Sequence, residues 1–116
     1  MPRIVQVLHV MDASAVDEAR EVAPHVDGIL LDSGNPSLRV KELGGTGRTH
    51  DWDVSAAIVA AVPVPVFLAG GLRASNVATA IETVRPYAVD ICSGVRTEGA
   101  LDRGKLRDFF TRVELV

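Results

Sequence analysis

The sequence has one cysteine, no long apolar run and no excess of positive charge, and each deficit excludes a class of protein. The single Cys92 excludes an internal disulfide and a zinc site of the Cys-x-x-Cys type, and we expect it to be a small buried apolar residue. No apolar run approaches the about 18 residues of a membrane span, and the start Met1-Pro2-Arg3 lacks the apolar segment of a signal peptide. A net charge of -3 without a basic stripe argues against nucleic acid. These features predict a cytoplasmic protein without membrane or nucleic-acid partners.

The composition is that of one globular domain, 1–116, with 47% apolar residues to form a core. Short apolar runs alternate with stretches of helical spacing. The predicted strands lie at 4–10, 28–32, 64–69 and 88–93. The predicted helices lie at 16–26, 54–62, 77–84 and 106–113. Because the strand runs are continuous rather than alternating, they indicate parallel strands covered on both faces.

Four βα units in succession fit two α/β architectures, a barrel or a doubly wound sheet. The polar and glycine-rich turns follow the strands, so they would gather at the carboxyl ends of a parallel sheet, as they do in TIM barrels. A complete barrel typically has eight strands in about 250 residues. We therefore predict half of a (βα)8 TIM barrel, four parallel strands each followed by a helix. A compact, flavodoxin-like arrangement of the same strands is the alternative.

The stretch from Gly28 to Trp52 is the part of the chain that indicates chemistry rather than packing. An apolar run brings the carboxylate of Asp32 to the end of the second strand. The polar stretch that follows is far longer than the usual connection of about 2–6 residues in an α/β unit. It contains Gly45 and Gly47, whose backbone amides can approach an anion closely. The sequence thus predicts an acid beside an anion-binding loop.

Four motifs carry a resemblance to a known family: LLDS, GGTG-x-x-x-DW, PVFLAGGL-x-x-x-NV-x-x-AI and VDICSGV. In this order and spacing they are similar to the C-terminal half of phosphoribosylanthranilate isomerase, a (βα)8 enzyme of tryptophan biosynthesis. That family converts N-(5-phosphoribosyl)anthranilate to a 1-deoxyribulose phosphate by an Amadori rearrangement. A general acid protonates the furanose ring oxygen, and a general base removes the C2 proton of the resulting imine. The substrate's own amine provides the imine, so the resemblance implies neither a cofactor nor a metal.

The resemblance also implies roles for individual residues. Asp32, at the end of LLDS, corresponds to the general acid. Gly45 and Gly47 resemble the loop that covers the substrate. The residues that match the family's phosphate-binding loops are Gly70, Gly71, Ser93 and Gly94. Backbone N–H groups would supply most contacts to such a phosphate.

The chain departs from the family pattern in its base. The family's general base is a cysteine in a KICG-like first strand, and this sequence lacks that motif. Cys92 or His50 could replace it, whereas His9 and His25 are expected to be structural. Arg96 stands where the family usually carries a glutamate. Two hypotheses follow: a phosphoribosylanthranilate isomerase that is completed by an N-terminal half or a substitute base, and a non-catalytic half-barrel that binds a phosphosugar.

A half-barrel would leave two strand edges and one sheet face without a cover, and both features favour association. Two copies related by a two-fold axis could close an eight-stranded barrel. We therefore predict a homo-oligomer, or a complex with a complementing N-terminal half-barrel, that binds a phosphorylated sugar.

Overall fold

The computed structural model describes residues 1–32 and 49–116, with the backbone alone for 49–51. The strands are β1 (Val5–His9), β2 (Gly28–Asp32), β3 (Val66–Ala69), β4 (Ala88–Val89), β5 (Arg96–Thr97) and β6 (Ala100–Leu101). The α-helices are α1 (Ser14–Val22), α2 (Thr49–Ala61), α3 (Val77–Val84) and α4 (Arg103–Glu114). Short 3₁₀ turns lie at Ala23–His25 and Ser93–Val95.

The first four strands form one parallel sheet in the order β1-β2-β3-β4, and β5 and β6 form a small antiparallel hairpin. In a flavodoxin-like sheet the strand order reverses, so that consecutive strands do not all lie side by side. Here each strand lies beside the next one in the sequence, as in the wall of a barrel. The predicted half-barrel order is therefore confirmed over the doubly wound alternative.

One face of the sheet packs against helices and forms the core. Ile29 and Leu31 of β2 and Leu68 of β3 are fully buried there, together with Ile58 of α2 and Val77 of α3. Burying one such side chain contributes roughly 1.5–3 kcal/mol to the free energy of folding. Because side chains alternate across a strand, the residues between these point to the opposite face.

The opposite face, which we call the inner face, is poorly covered at β1. Val5 and Val7 point to this face and are 47% and 44% exposed, whereas Leu8 points to the other face and is buried. The register pairs Val5 with Gly28 and Val7 with Leu30, so the inner face continues onto β2. The prediction that the strands are covered on both faces is wrong for β1.

Several predicted element bounds differ from the structure, including those of α1, α2, β3 and β4. Helix α2 begins at Thr49 rather than near Val54. The prediction missed this start because the first turn is mostly polar, so apolar periodicity could not indicate it. Strand β4 has only two residues, and its pairing with β3 ends at the hydrogen bond from the Asp90 N–H to the Leu68 carbonyl. In α4 the adjacent aromatic residues differ, since Phe109 is buried and Phe110 is 58% exposed. Consecutive helical residues point about 100° apart, so only one of these rings reaches the core.

Candidate functional site

Asp32 lies at the carboxyl end of β2, where the sequence predicted it. The register pairs it with His9 on one side and with Ala69, just before Gly70, on the other. It shares the inner face with Leu30, because Leu31 between them is buried toward the helices. The carboxylate is therefore available to a ligand at the carboxyl end of the sheet, the end at which TIM barrels carry their active sites.

His9 is the neighbour of Asp32 that sequence reasoning missed. Nδ1 of His9 lies 3.8 Å from Oδ2 of Asp32, and each side chain is 42% exposed. At this distance the two groups form an ion pair when His9 is protonated, but not a direct hydrogen bond. His9 was expected to be structural because it lies in an apolar strand. An edge strand with one open face gives alternate residues access to solvent, and only the strand register could have revealed this pairing.

The turns after β3 and β4 enclose an open pocket of about 480 Å³. The described residues that line it are Gly71, Leu72, Arg73, Ala74, Ser75, Ser93, Gly94, Lys105 and Asp108. The structure thus brings together Gly71, Ser93 and Gly94, three of the residues predicted to bind phosphate. Gly70 directly precedes this lining.

The backbone explains why glycines occupy these turns. Gly70 and Gly71 have φ values of 94° and 69°, a left-handed region that L side chains rarely adopt. Gly94 meets a different requirement, because a Cβ atom there would lie 2.0 Å from the carbonyl oxygen of Leu72. The two turns are therefore in contact at Gly94, and this contact joins the two walls of the pocket.

The charged side chains at the pocket are two cations and one carboxylate, from Arg73, Lys105 and Asp108. Nζ of Lys105 donates a hydrogen bond to the carbonyl of Arg96 at 2.9 Å, which ties the start of α4 to the β5–β6 hairpin. Nη1 of Arg96 donates to the Gly99 carbonyl at 2.8 Å across the turn of that hairpin. Arg96 thus closes the hairpin turn, and it is not a member of the pocket lining.

Asp102 fastens the same region as the N-cap of α4. Its Oδ2 accepts a hydrogen bond from Thr97 Oγ1 at 2.7 Å, and its Oδ1 accepts from the Lys105 N–H at 3.1 Å. The bond from Thr97, followed by that from the Lys105 amide, holds the pKa of Asp102 below its ordinary value of 3.8.

The remaining predicted site residues fall into two groups. Gly45, Gly47 and the side chain of His50 lie outside the described residues. Cys92, which was expected to be buried, is exposed. It follows the short β4 strand as the chain enters the Ser93–Val95 turn, where the sheet no longer covers it.

In residues 1–32 and 49–116, no group of three His, Cys, Asp or Glu side chains could hold a metal ion. Across the same part of the chain, the helices are too short or too polar to cross a membrane.

Comparison with known proteins identifies relatives along nearly the whole chain. N-(5'-phosphoribosyl)anthranilate isomerase from Haloferax volcanii is 49% identical to this chain over 106 residues. These residues are 90% of this chain and 46% of the relative. The protein of the same name from Methanocella arvoryzae is 43% identical over 114 residues, 97% of this chain and 51% of the relative. The chain therefore spans about half the length of the curated relatives it matches.

Solved structures of isomerases with the same name also match this chain over about half of their length. Phosphoribosyl anthranilate isomerase from Thermotoga maritima superimposes with a TM-score of 0.79 at 29% identity, covering 98% of this chain and 52% of that structure. The protein of that name from Thermococcus kodakaraensis gives 0.71 at 35% identity, covering 96% and 52%. The fold is thus half of a TIM barrel. The family model described as N-(5'phosphoribosyl)anthranilate (PRA) isomerase matches residues 1–112, and the chain belongs to that family.

Proposed function

We propose that this chain carries the general acid and the phosphate-binding loops of a phosphoribosylanthranilate isomerase. The observation that supports this most directly is the shared position of the two features. Asp32 pairs with Ala69, and the pocket-lining loop begins directly after Ala69 with Gly70 and Gly71. An acid and an anion-binding loop on adjacent strands suit a sugar phosphate, because the phosphate can be held while the carboxyl reaches the ring.

The chemistry assigned to Asp32 is proton donation to the furanose ring oxygen. As the proton arrives, the bond between C1 and the ring oxygen breaks, and the nitrogen lone pair forms a C1=N bond. A base then removes the C2 proton, and the electrons of the C–H bond form a C1=C2 bond while those of the C1=N bond return to nitrogen. Asp32 supplies only the first of these proton transfers. The base is provided by a complementing N-terminal half-barrel or by a substitute residue.

The phosphate would be held by the loops after β3 and β4. Gly71, Ser93 and Gly94 line one pocket, and backbone N–H groups in such turns form concave sites that favour anions. Arg73 and Lys105 add positive charge at its wall. Gly45 and Gly47 complete the proposed substrate contacts, as the resemblance implies, and no cofactor is required.

We further propose that association covers the inner face. The exposed Val5 and Val7 form an apolar strip on β1, an edge strand of the sheet. A second copy of the chain, or a complementing N-terminal half-barrel, would pair with both sheet edges and bury this strip. A cytoplasmic location belongs to the same proposal.

The test is the loss of anthranilate fluorescence when the 116-residue chain is given N-(5-phosphoribosyl)anthranilate, with spontaneous decay subtracted. Turnover that falls by about 10²–10⁴-fold in Asp32→Asn would support the proposal, since this is the usual contribution of a general acid. Turnover that is unchanged by this substitution would overturn the role of Asp32. Absence of turnover with retained phosphate binding would identify the alternative, a non-catalytic half-barrel that binds a phosphosugar.

A further inference from the structure

The side chain of Asn76 spans the loop after β3 instead of capping its own helix. Its Oδ1 accepts a hydrogen bond from the Arg73 N–H at 2.9 Å, and its Nδ2 donates to the Gly71 carbonyl at 3.0 Å. Asn76 is the N-cap residue of α3, yet its side chain makes no capping bond to that helix. An asparagine at this position normally accepts from the helix's own second or third N–H. The carboxamide is therefore used to hold the loop.

The side chain of Arg73 is a second hydrogen-bond donor to the Gly71 carbonyl. Its Nη1 donates to the Gly71 carbonyl at 3.2 Å, and its Nε donates to Ser75 Oγ at 3.1 Å. Two side chains thus converge on one backbone oxygen. The loop needs such anchors, because consecutive glycines at positive φ have little intrinsic preference for a single conformation.

The anchored carbonyl determines the direction of the next amide. The Gly71 carbonyl and the Leu72 N–H belong to one planar trans peptide group, in which the C=O and N–H bonds point in opposite directions. With the carbonyl directed at Asn76, the N–H of Leu72 points away from Asn76. Leu72 lines the pocket, and Asn76, unlike Arg73, is not part of that lining. Within the described chain, this N–H donates to no backbone carbonyl or side-chain acceptor.

We infer that Asn76 is a positioning residue for phosphate binding. With Arg73, it holds the Gly71 carbonyl so that the Leu72 N–H faces the pocket and can donate to a phosphate oxygen. The inference rests on the proposed phosphate site and adds the side chains that give that site its shape. The contact of Gly94 with the Leu72 carbonyl holds the same residue from the other side.

The test is a titration of the full chain with inorganic phosphate, followed by the backbone amide signals in ¹⁵N NMR. In the unsubstituted chain, phosphate should shift the Leu72 and Gly94 amides. Asn76→Ala should move the Leu72 amide signal before phosphate is added, and should raise the phosphate dissociation constant about tenfold, as expected for the loss of one well-formed hydrogen bond. Thr79→Ala, an exposed position one turn along α3, is the matched control and should bind phosphate normally.

Two more variants separate positioning from charge and from loss of fold. Asn76→Asp keeps the oxygen that accepts from the Arg73 N–H but has no N–H to donate to the Gly71 carbonyl. Its phosphate binding should therefore be weaker, and should remain weaker at 1 M salt, where charge repulsion is screened within about 3 Å. Arg73→Lys keeps the charge and loses the planar fork, so it should also weaken binding.

Each outcome has a distinct meaning. Phosphate binding by Asn76→Ala and Asn76→Asp as tight as in the unsubstituted chain would overturn the inference and leave the phosphate site intact. Failure of the unsubstituted chain to bind phosphate would overturn the proposed site and this inference with it. Normal binding by Arg73→Lys would remove Arg73 from the positioning role.

Discussion

The imidazole of His9 and the carboxylate of Asp32 face each other across neighbouring strands, with Nδ1 and Oδ2 separated by 3.8 Å. The strand register produces this pairing directly, because His9 and Asp32 are the last residues of β1 and β2 and are Cα partners. Any ligand that reaches the Asp32 carboxylate therefore also meets the imidazole. The distance indicates an electrostatic neighbour rather than a hydrogen-bond partner.

His9→Asn should reduce the proposed isomerase turnover much less than Asp32→Asn does. An exposed pair at this distance is coupled by about 0.2–1 kcal/mol, which corresponds to a change of up to about fivefold in rate. The measurement is the fluorescence assay described above. His25→Asn is the control, since His25 is exposed and precedes β2 at the amino end of the sheet. A loss in His9→Asn as large as that in Asp32→Asn would mean that His9 itself transfers a proton.

Gly94→Ala should both destabilise the protein and weaken the proposed phosphate binding. The new Cβ would lie 2.0 Å from the Leu72 carbonyl oxygen, so the two pocket loops must separate, at a cost of about 1–3 kcal/mol in the free energy of unfolding. Urea unfolding and a phosphate titration measure the two effects.

Gly104→Ala is the matched control for that substitution. Among the described residues its Cβ would meet only Asp102 Oδ1, at an ordinary 3.4 Å, and alanine is favoured over glycine in a helix by about 0.5–1 kcal/mol. It should leave stability unchanged or raise it. Equal stability of Gly94→Ala and the unsubstituted chain would show that the two loops do not touch.

Replacing Asp102 with asparagine should lower the melting temperature at neutral pH but not in acid. Hydrogen bonds from Thr97 and from the Lys105 amide lower the pKa of Asp102 in the folded state. The carboxylate therefore stabilises the fold fully at pH values above 3.8, the ordinary pKa of the group. That stabilisation disappears as the pH falls through the lowered pKa. The melting temperatures of the two proteins should therefore converge as the pH is lowered from 7 toward 2.

Thr97→Val tests the same contact from the other side. It removes the hydroxyl that donates to Asp102 and should reproduce part of the loss at pH 7. A difference between Asp102→Asn and the unsubstituted chain that stays constant with pH would contradict the assigned role of the carboxylate.

Ser55→Ala should leave the stability unchanged or raise it by up to about 1 kcal/mol. Ser55 in α2 is 0% exposed, and its Oγ finds no hydrogen-bond partner in the part of the chain that is described. Removing a buried hydroxyl without a partner removes a desolvation cost. Ser14→Ala is the contrast, since its hydroxyl bonds to Asp12 and its loss should be mildly destabilising. Thermal unfolding compares the two, and a marked loss in Ser55→Ala would mean that the hydroxyl is satisfied.

Val7→Glu should convert the proposed oligomer to a smaller species. Val7 is on the inner face of an edge strand, so a carboxylate there would be buried by association without a partner charge. Sedimentation velocity at micromolar concentration measures the change. Thr79→Glu, on the exposed side of α3, should sediment as the unsubstituted chain does. A stable folded monomer before any substitution would refute the proposed association.

The sequence predicted those parts of the fold that depend on local pattern. β2 was predicted with its observed ends, because Gly28 and Asp32 bracket a continuous apolar run. The predicted end of α2 at residue 62 is close to the observed end at Ala61, and Pro63 and Pro65 just beyond it cannot continue a helix. Its start was missed because Thr49 begins a polar first turn, where periodicity carries no signal.

The positions of Asp32 and of the turn residues were predicted from the sequence, whereas the contacts between side chains were not. Gly71 and Ser93 could be assigned to one end of the sheet, since turns after parallel strands gather there. The pairing of His9 with Asp32 depends on register, and the bonds from Asn76 depend on loop geometry. Neither contact can be predicted from composition or residue spacing, so both are known only from the structure.

The sequential strand order has a consequence for how the protein opens. Each βα unit contacts mainly the units beside it, so local unfolding starts at the ends of the array and not at its centre. β2 has a strand on each side and carries Asp32, whereas β4 is a two-residue edge strand that leads to Ser93 and Gly94. Partial opening at β4 would therefore disrupt the proposed phosphate site while Asp32 remains in its folded position.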